Sequence, residues 1–285
     1  MNKKISFSTI CFLLIFGTAL FSLNLKRVSA IQTSGQKTLT LYDAKSGVTP
    51  DTKIMSFFDF PPGEIIQTYE NGSITLDTTK SGNSTYAGWI SNATNTLGFP
   101  NLGHATGFQL DFTMQVENES HTNDKRAGFS IIILGEDARG IELAFWQNEI
   151  WAQNDDATGG LFTRGEGITF PTTTGLINYQ VIVVNDIYTL TANGVSILNG
   201  PVRDYSNFEG FPDPYQTPNF LFLGDDTTSA QARIRLSYLS VTGTERTALP
   251  TAPLPTNSPT PIPSPTAVKE ASESCPLLRW ILNRP

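Results

Sequence analysis

The alternation Phe108-Gln109-Leu110-Asp111-Phe112-Thr113-Met114-Gln115-Val116 limits what this chain can fold into more than any other feature. Apolar and polar residues exchange at every step, the period of a strand, so one face of the segment is buried and the other is wetted. The same period recurs at Leu39 and Leu41, Ile74 and Leu76, Phe129, Ile131 and Ile133, and Ile141, Leu143 and Phe145. Turn residues separate such runs. Asn185-Asp186 stands between Val181-Ile182-Val183-Val184 and Tyr188-Thr189-Leu190, and Asn193-Gly194 precedes Val195-Ser196-Ile197-Leu198. Asn-Gly accepts positive φ at both turn positions and marks a tight hairpin. In the last run the apolar parity slips from Ile234 and Leu236 to Leu239 and Val241, which predicts a bulge near Ser237-Tyr238. No long capped helical pattern follows residue 30; residues 141–151 read as a short helix only if their alternation is ignored. About a dozen short strands divided by Gly, Asn, Asp and Pro predict an all-β fold, an antiparallel two-sheet β-sandwich of jelly-roll form.

The ends differ from this body. Lys3 and Lys4 precede an apolar run from Ile10 to Phe21, and Val28-Ser29-Ala30 supplies a small-residue cleavage pattern, so residues 1–30 read as a secretory signal peptide. The protein is therefore expected to be secreted or displayed at the cell surface. Losing Lys3, Lys4, Lys26 and Arg27 with that segment takes the formal net charge from −7 to −11, which argues against a nucleic-acid partner. Cys11 leaves with the signal and Cys275 remains alone, so no intrachain disulfide supports the expected domain, residues 31–247. Residues 248–268 form a Pro/Thr-rich linker, an extended polyproline-type spacer. Residues 269–285 form a short tail with Leu277, Leu278, Trp280, Ile281 and Leu282, a candidate docking element for a protein partner.

The strand order resembles the concanavalin A-like lectin and glucanase superfamily, which includes laminin-G-like domains. The likeness rests on Ala127-Gly128-Phe129-Ser130-Ile131-Ile132-Ile133, on the hairpin from Tyr179 to Gly194, and on Asn219-Phe220-Leu221-Phe222-Leu223-Gly224-Asp225-Asp226 followed by the run from Ala232 to Val241. It implies a jelly roll but does not decide function, because that superfamily includes sugar binders, adhesion modules and glycoside hydrolases.

The densest candidate site is residues 140–154, read as two strands joined near Gln147-Asn148-Glu149. With Ile141, Leu143 and Phe145 inward, Glu142 and Trp146 face outward; with Ile150 and Ala152 inward, Trp151 and Gln153 join them. Arg126 and Ser130 share that face if Phe129 is buried. Two indoles beside a carboxylate suit a sugar, whose C–H faces stack on rings while polar groups take its hydroxyls. The competing reading is an ordinary cross-strand tryptophan pair sealed under a loop. Glycosidases of the superfamily carry Glu-x-Asp-x-Glu or a close variant on one strand, which this sequence lacks; as an enzyme it would rest on Glu142, with a second acid from a loop such as Asp155-Asp156.

Asp155 with Asp156, and Asp225 with Asp226, offer oxygen ligands for which calcium is the candidate ion, against the plainer reading of Asp-based turns. His104 and His121 lack metal-site spacing and read as loop or surface residues. Four Asn-x-Ser/Thr matches, at Asn71, Asn83, Asn92 and Asn118, serve as loop markers. The leading expectation is a non-catalytic recognition domain for carbohydrate, an extracellular or cell-surface glycan. The alternatives are a glycan-active hydrolase using Glu142 and an architectural or adhesion domain that binds protein.

Overall fold

The computed structural model describes residues 35–50, 54–80, 85–210 and 213–246. The expected signal, linker, tail and Cys275 lie outside them. In chain order the strands are β1 (Gln36–Asp43), β2 (Ser56–Phe60), β3 (Thr68–Glu70), β4 (Ser73–Asp77), β5 (Tyr86–Asn92), β6 (Phe108–His121), β7 (Ser130–Leu134) and β8 (Gly140–Phe145). They continue with β9 (Glu149–Gln153), β10 (Arg164–Thr169), β11 (Ile177–Val184), β12 (Ile187–Ala192), β13 (Val195–Pro201), β14 (Phe220–Asp225) and β15 (Ala230–Thr244). The helical element among the described residues is a single 3-10 turn, Ala44–Ser46.

Two antiparallel sheets result. Sheet A runs β13-β12-β11-β6-β15-β4-β3, with β1 also paired to β15, and sheet B runs β10-β9-β8-β7-β14-β5-β2. The chain forms the all-β, two-sheet sandwich that its alternation predicts. The Phe108 run opens β6, whose Phe108, Leu110, Phe112, Met114 and Val116 are at most 1% exposed. They meet Ile131, Ile133, Leu143 and Phe145 of sheet B in one core. Rings tie the layers together: Phe112 stacks on Tyr179 at 5.1 Å within sheet A and meets the edge of Phe145 from sheet B at 6.2 Å. Each such buried side chain stabilises by about 1.5–3 kcal/mol.

Both hairpin turns take positive φ at both positions, 49° and 63° at Asn185-Asp186 and 49° and 79° at Asn193-Gly194. The β15 register shifts against β6 between Leu236 and Tyr238, where the parity slip places a bulge. Two expectations need correction. β6 and β15 span 14 and 15 residues rather than being short, because each sits mid-sheet and pairs along most of its length. Glu149 opens β9 instead of lying in the turn, and it pairs with Arg164 on β10.

Candidate functional site

Alternation on the middle strands of sheet B decides what faces away from the core. Ile131, Ile133, Ile141, Leu143, Phe145, Ile150 and Ala152 point into the sandwich. Ser130 and Ile132 of β7, Glu142 and Ala144 of β8, and Trp151 and Gln153 of β9 are thereby left on the outer face. That face is covered. Ile132 and Leu134 pack with Phe220, Phe222, Tyr205 and Tyr215, with Phe162 and Phe208 against them. Ala144 and Trp151 pack with Ala127 and Trp146. The cover comes from the segments between β9 and β10, between β13 and β14, and ahead of β7.

The covering segment after β13 is seated on β8. Arg203 N–H donates to the Gly140 carbonyl at 2.7 Å and Gly140 N–H returns to the Arg203 carbonyl at 3.0 Å. Two residues on, the Tyr205 hydroxyl accepts from Glu142 N–H at 3.1 Å and donates to the Gln153 carbonyl at 2.8 Å. Tyr215 O–H donates to Glu142 Oε2 at 2.5 Å. Glu142 is thus held by two tyrosines, Tyr205 at its backbone N–H and Tyr215 at its carboxyl, in a residue only 3% exposed. Burial drives its carboxyl well above the usual carboxylate range, and the charge of Asp226 drives it further, against the Tyr215 hydroxyl and Arg126. Asp226, one residue past β14, is also raised by burial, with Arg126 and its own backbone N–H pulling it back. The charge of Arg126 therefore favours the ionised form of both acids.

The sequence-derived residues meet here in different roles. Arg126 lies over the Phe162 ring at 5.2 Å and donates to the Phe162 carbonyl at 2.8 Å. Ser130 sits on β7 between Ala144 and Gly224. Gln153 donates to the Lys125 carbonyl at 3.1 Å, while its buried Oε1 has no hydrogen-bond partner. Trp151 is 0% exposed, and its Nε1 is likewise unpartnered. Trp146 meets it edge-on at 4.4 Å, and the Arg164 guanidinium lies 4.5 and 4.6 Å from the two indoles. The two tryptophans do not make an open platform, because Arg164 and the covering chain seal Trp151. The sealed pair, the plainer of the two readings, describes it. Trp146 stays partly exposed, donates to the Arg126 carbonyl at 2.9 Å and stacks on His121 at 3.9 Å.

Both histidines have acid partners that sequence spacing does not reveal. His121 Nδ1 lies 3.0 Å from Glu119 and His104 Nδ1 lies 2.7 Å from Asp186. The aspartate runs behave as turns. Asp155 accepts from Thr158 N–H and from Asp204 N–H, both at 2.8 Å, and Asp156 from Leu161 N–H at 3.1 Å. Asp225 accepts from Thr78 O–H at 2.6 Å. Among the described residues no three His, Cys, Asp or Glu side chains come together to hold a metal ion. Sequence reasoning missed Tyr205, Tyr215, Arg164 and the effect of the Asp226 charge on Glu142. The Asp225-Asp226 run was visible, and counting parity from Leu221 and Leu223 turns Asp226 outward.

No family model matches the chain, and no curated protein matches it. Among solved structures it is similar to a conserved carbohydrate esterase from Shiga toxin-encoding bacteriophage phi24B, at 12% identity, covering 74% of this chain and 100% of that one, TM-score 0.49. It is similar to alginate lyase A1-II', a member of polysaccharide lyase family 7, at 17% identity over 75% and 96% of the chains, TM-score 0.40. It is also similar to the exoplasmic/lumenal domain of VIP36 in its Ca2+/Man3GlcNAc-bound form, at 10% identity over 75% and 90%, TM-score 0.44.

Proposed function

We propose that this domain recognises carbohydrate on the outer face of sheet B, at the patch formed by Arg126, Ser130, Glu142, Trp146 and Gln153, in a protein exported to the cell surface or beyond. One observation carries the reading: a buried acceptor that the fold leaves unpaired, Gln153 Oε1, lies on the face that also carries the partly exposed rings of Trp146, Phe162 and Phe208. A sugar suits this face, since one of its hydroxyls would pair with Gln153 Oε1 and its C–H faces would cover rings such as Trp146, Phe162 and Phe208. Trp151 supports Trp146 from beneath and does not touch the ligand.

A glycan array probed with the full chain, with calcium and then with EDTA, tests this. The expected result is binding to at least one glycan, unchanged by EDTA, and weakened about tenfold by Trp146→Ala, equivalent to about 1.4 kcal/mol. Silence across the array, or binding untouched by both Trp146→Ala and Arg126→Ala in folded protein, removes the reading.

A further inference from the structure

The outward face of the Trp146 ring is already occupied. His121 lies flat against it, with ring centroids 3.9 Å apart and planes 2° from parallel. Trp151 at 4.4 Å and the Arg164 guanidinium at 4.5 Å crowd the same indole, and an imidazole lying flat leaves them no room on its own side. One face of Trp146 is thus built into the protein, and the other is closed by a histidine. The indole is pinned. Its Nε1–H donates to the Arg126 carbonyl at 2.9 Å, its backbone N–H donates to the Glu149 carbonyl at 2.9 Å, and its carbonyl accepts from Thr172 O–H at 2.6 Å.

A slip in strand register brings the histidine there. Val116 pairs with Ile234 and Asn118 with Arg233, so Glu117 is an extra residue and the core-facing parity of β6 passes from even to odd numbers. Glu119 pairs with Ala232, a core residue, and is 8% exposed. His121 follows on the same side at the end of the strand, its side chain 31% exposed. Its Nδ1 stands 3.0 and 3.1 Å from the two Glu119 oxygens. The backbone here is fixed, because His121 pairs with Ala230 and Thr122 N–H donates to the Ser229 carbonyl at 2.8 Å. The imidazole borders a cleft lined by Ser120, Thr122, Ser229, Ala230 and Gln231, into which it can turn without moving the strand.

Resting on the carbohydrate reading above, we infer that His121 is a gate standing in the sugar position on Trp146, and that a sugar which displaces it stacks on the freed indole face and hydrogen-bonds Glu119. The imidazole has the two properties of the ligand it excludes, a flat face against the ring and a nitrogen at the carboxylate. A sugar brings a C–H face and a hydroxyl to the same two places. Without the gate, a buried carboxylate would stand unpaired in the free protein. Burial pushes Glu119 above its ordinary value, while the charge and bond of His121 and the Gly128 N–H pull it back. The charged groups around the gate are Glu119 on its own strand, Arg126 ahead of β7, Glu149 on β9, Arg164 on β10 and Asp225 at the end of β14. Arg164 is paired with Glu149, which leaves Glu119 as the carboxylate in contact with the imidazole. An imidazolium adds a charge-assisted bond to Glu119 and a cation–π contact to the indole, so the gate closes more firmly in acid. Histidine changes charge between about pH 5 and pH 8, which sets the window.

The test titrates cello-, laminari-, xylo-, manno- and chito-oligosaccharides into the full chain by calorimetry at about pH 5.5 and about pH 8. The wild type should bind at least one of them, about tenfold more tightly at the higher pH. His121→Ala should bind the same oligosaccharide about tenfold more tightly than wild type at the lower pH, and the two should draw level at the higher. Adding Glu119→Ala to that variant should cancel the gain, because the sugar loses its acceptor. A wild type that is silent while His121→Ala binds is the same gate at its tightest. The wild-type pH profile needs no substitution, so it decides even where a variant does not fold. A wild-type affinity equal at the two pH values, or binding that folded His121→Ala leaves unchanged or weakens, overturns the gate and leaves recognition standing. Silence from both proteins across all five series overturns both readings.

Discussion

Replacing Arg203 by methionine asks whether one buried ion pair holds the segment that covers Glu142. The arginine is 2% exposed. Its guanidinium reaches Glu166 Oε1 at 3.0 Å and Oε2 at 2.5 Å, the Pro201 carbonyl at 2.7 Å and Asn154 Oδ1 at 3.2 Å. Removing one member of a buried pair costs about 3–5 kcal/mol, because the remaining charge stays desolvated without its partner. Glu166 is 28% exposed and keeps the Tyr188 hydroxyl at 2.6 Å, so water and that bond absorb part of the loss. The low end, about 3 kcal/mol, is therefore expected. In a domain of about 200 residues this lowers the melting midpoint by roughly 10 °C. The Arg203→Met/Glu166→Met double variant, with apolar groups of similar volume, should recover most of it, and urea unfolding of the four proteins closes the cycle. The pH dependence has a definite sign. Burial pushes Glu166 up, but the Arg203 and Tyr188 hydrogen bonds outweigh it and leave the carboxyl below its ordinary value. Stability from such a group is present above its unfolded pKa and disappears as pH falls through the folded one. The gap between wild type and Arg203→Met should accordingly narrow below about pH 4. A single variant within about 1 kcal/mol of wild type, or a double variant as unstable as the two losses added, refutes the reasoning.

Three further outcomes follow from the same geometry. Tyr215→Phe should destabilise by about 1–3 kcal/mol and raise the Glu142 titration further, because the hydroxyl holds it down; a carboxyl-carbon NMR titration in which Glu142 stays put contradicts this. Glu142 and Asp226 are both raised on folding, so they add a penalty that grows as pH rises from the ordinary carboxylate range through their folded values. The wild type should melt lower at alkaline than at mildly acidic pH, and Glu142→Gln should flatten that decline in a calorimetric series. Gly128→Ala would put a methyl 2.0 Å from the Gln231 carbonyl carbon and 2.3 Å from its oxygen, against backbone that pairs in β15. It should cost about 3 kcal/mol, and an unchanged melting midpoint would mean that the segment ahead of β7 does not approach Gln231 of β15 this closely.

Periodicity made the sandwich legible because a half-buried strand must alternate, and β6, β8, β12 and β13 carry that pattern or their turns in plain view. The strands it missed, β2, β3, β5 and β10, are short, edge-lying or glycine-bearing. In β5, Gly88 interrupts the outward face, where the Phe222 ring fills the place of a side chain. Strand parity also put Glu142, Trp151 and Gln153 on one face. What parity does not register is a cover. Tyr205 and Tyr215 belong to a segment without period, and nothing local says that their hydroxyls reach Glu142, 63 and 73 residues earlier in the chain. Parity alone therefore leaves an open tryptophan platform and a sealed pair as alternatives, and it is the cover that buries Trp151; nor does spacing say that the charge of Asp226 bears on Glu142.

The two outer faces of the sandwich differ in how they meet solvent, and the covered face of sheet B is where the buried carboxyl of Glu142 lies. On sheet A, Arg233 bonds Glu117 and Glu70 at 2.6 Å and Asp77 at 2.9 Å, Thr113 bonds Asn178 at 2.8 Å, and Gln180 bonds Asp111 at 2.8 Å. These partners stand beside water, which screens them and takes up what they leave, although Gln36 Oε1, Gln109 Oε1 and the Tyr179 hydroxyl of the same sheet are buried without partners. On sheet B the outward groups are covered by rings, so each polar atom there must find a partner in the protein or go without. Glu142 finds two tyrosines, whereas Gln153 Oε1 and Trp151 Nε1 find none. A fold selected for stability alone would place apolar atoms at those positions, since an unpaired buried donor or acceptor costs about 1–3 kcal/mol. Keeping a desolvated carboxyl at Glu142 and an unpaired acceptor at Gln153 Oε1 under an aromatic cover makes physical sense when a hydroxyl-bearing ligand reaches Gln153 and supplies its missing partner.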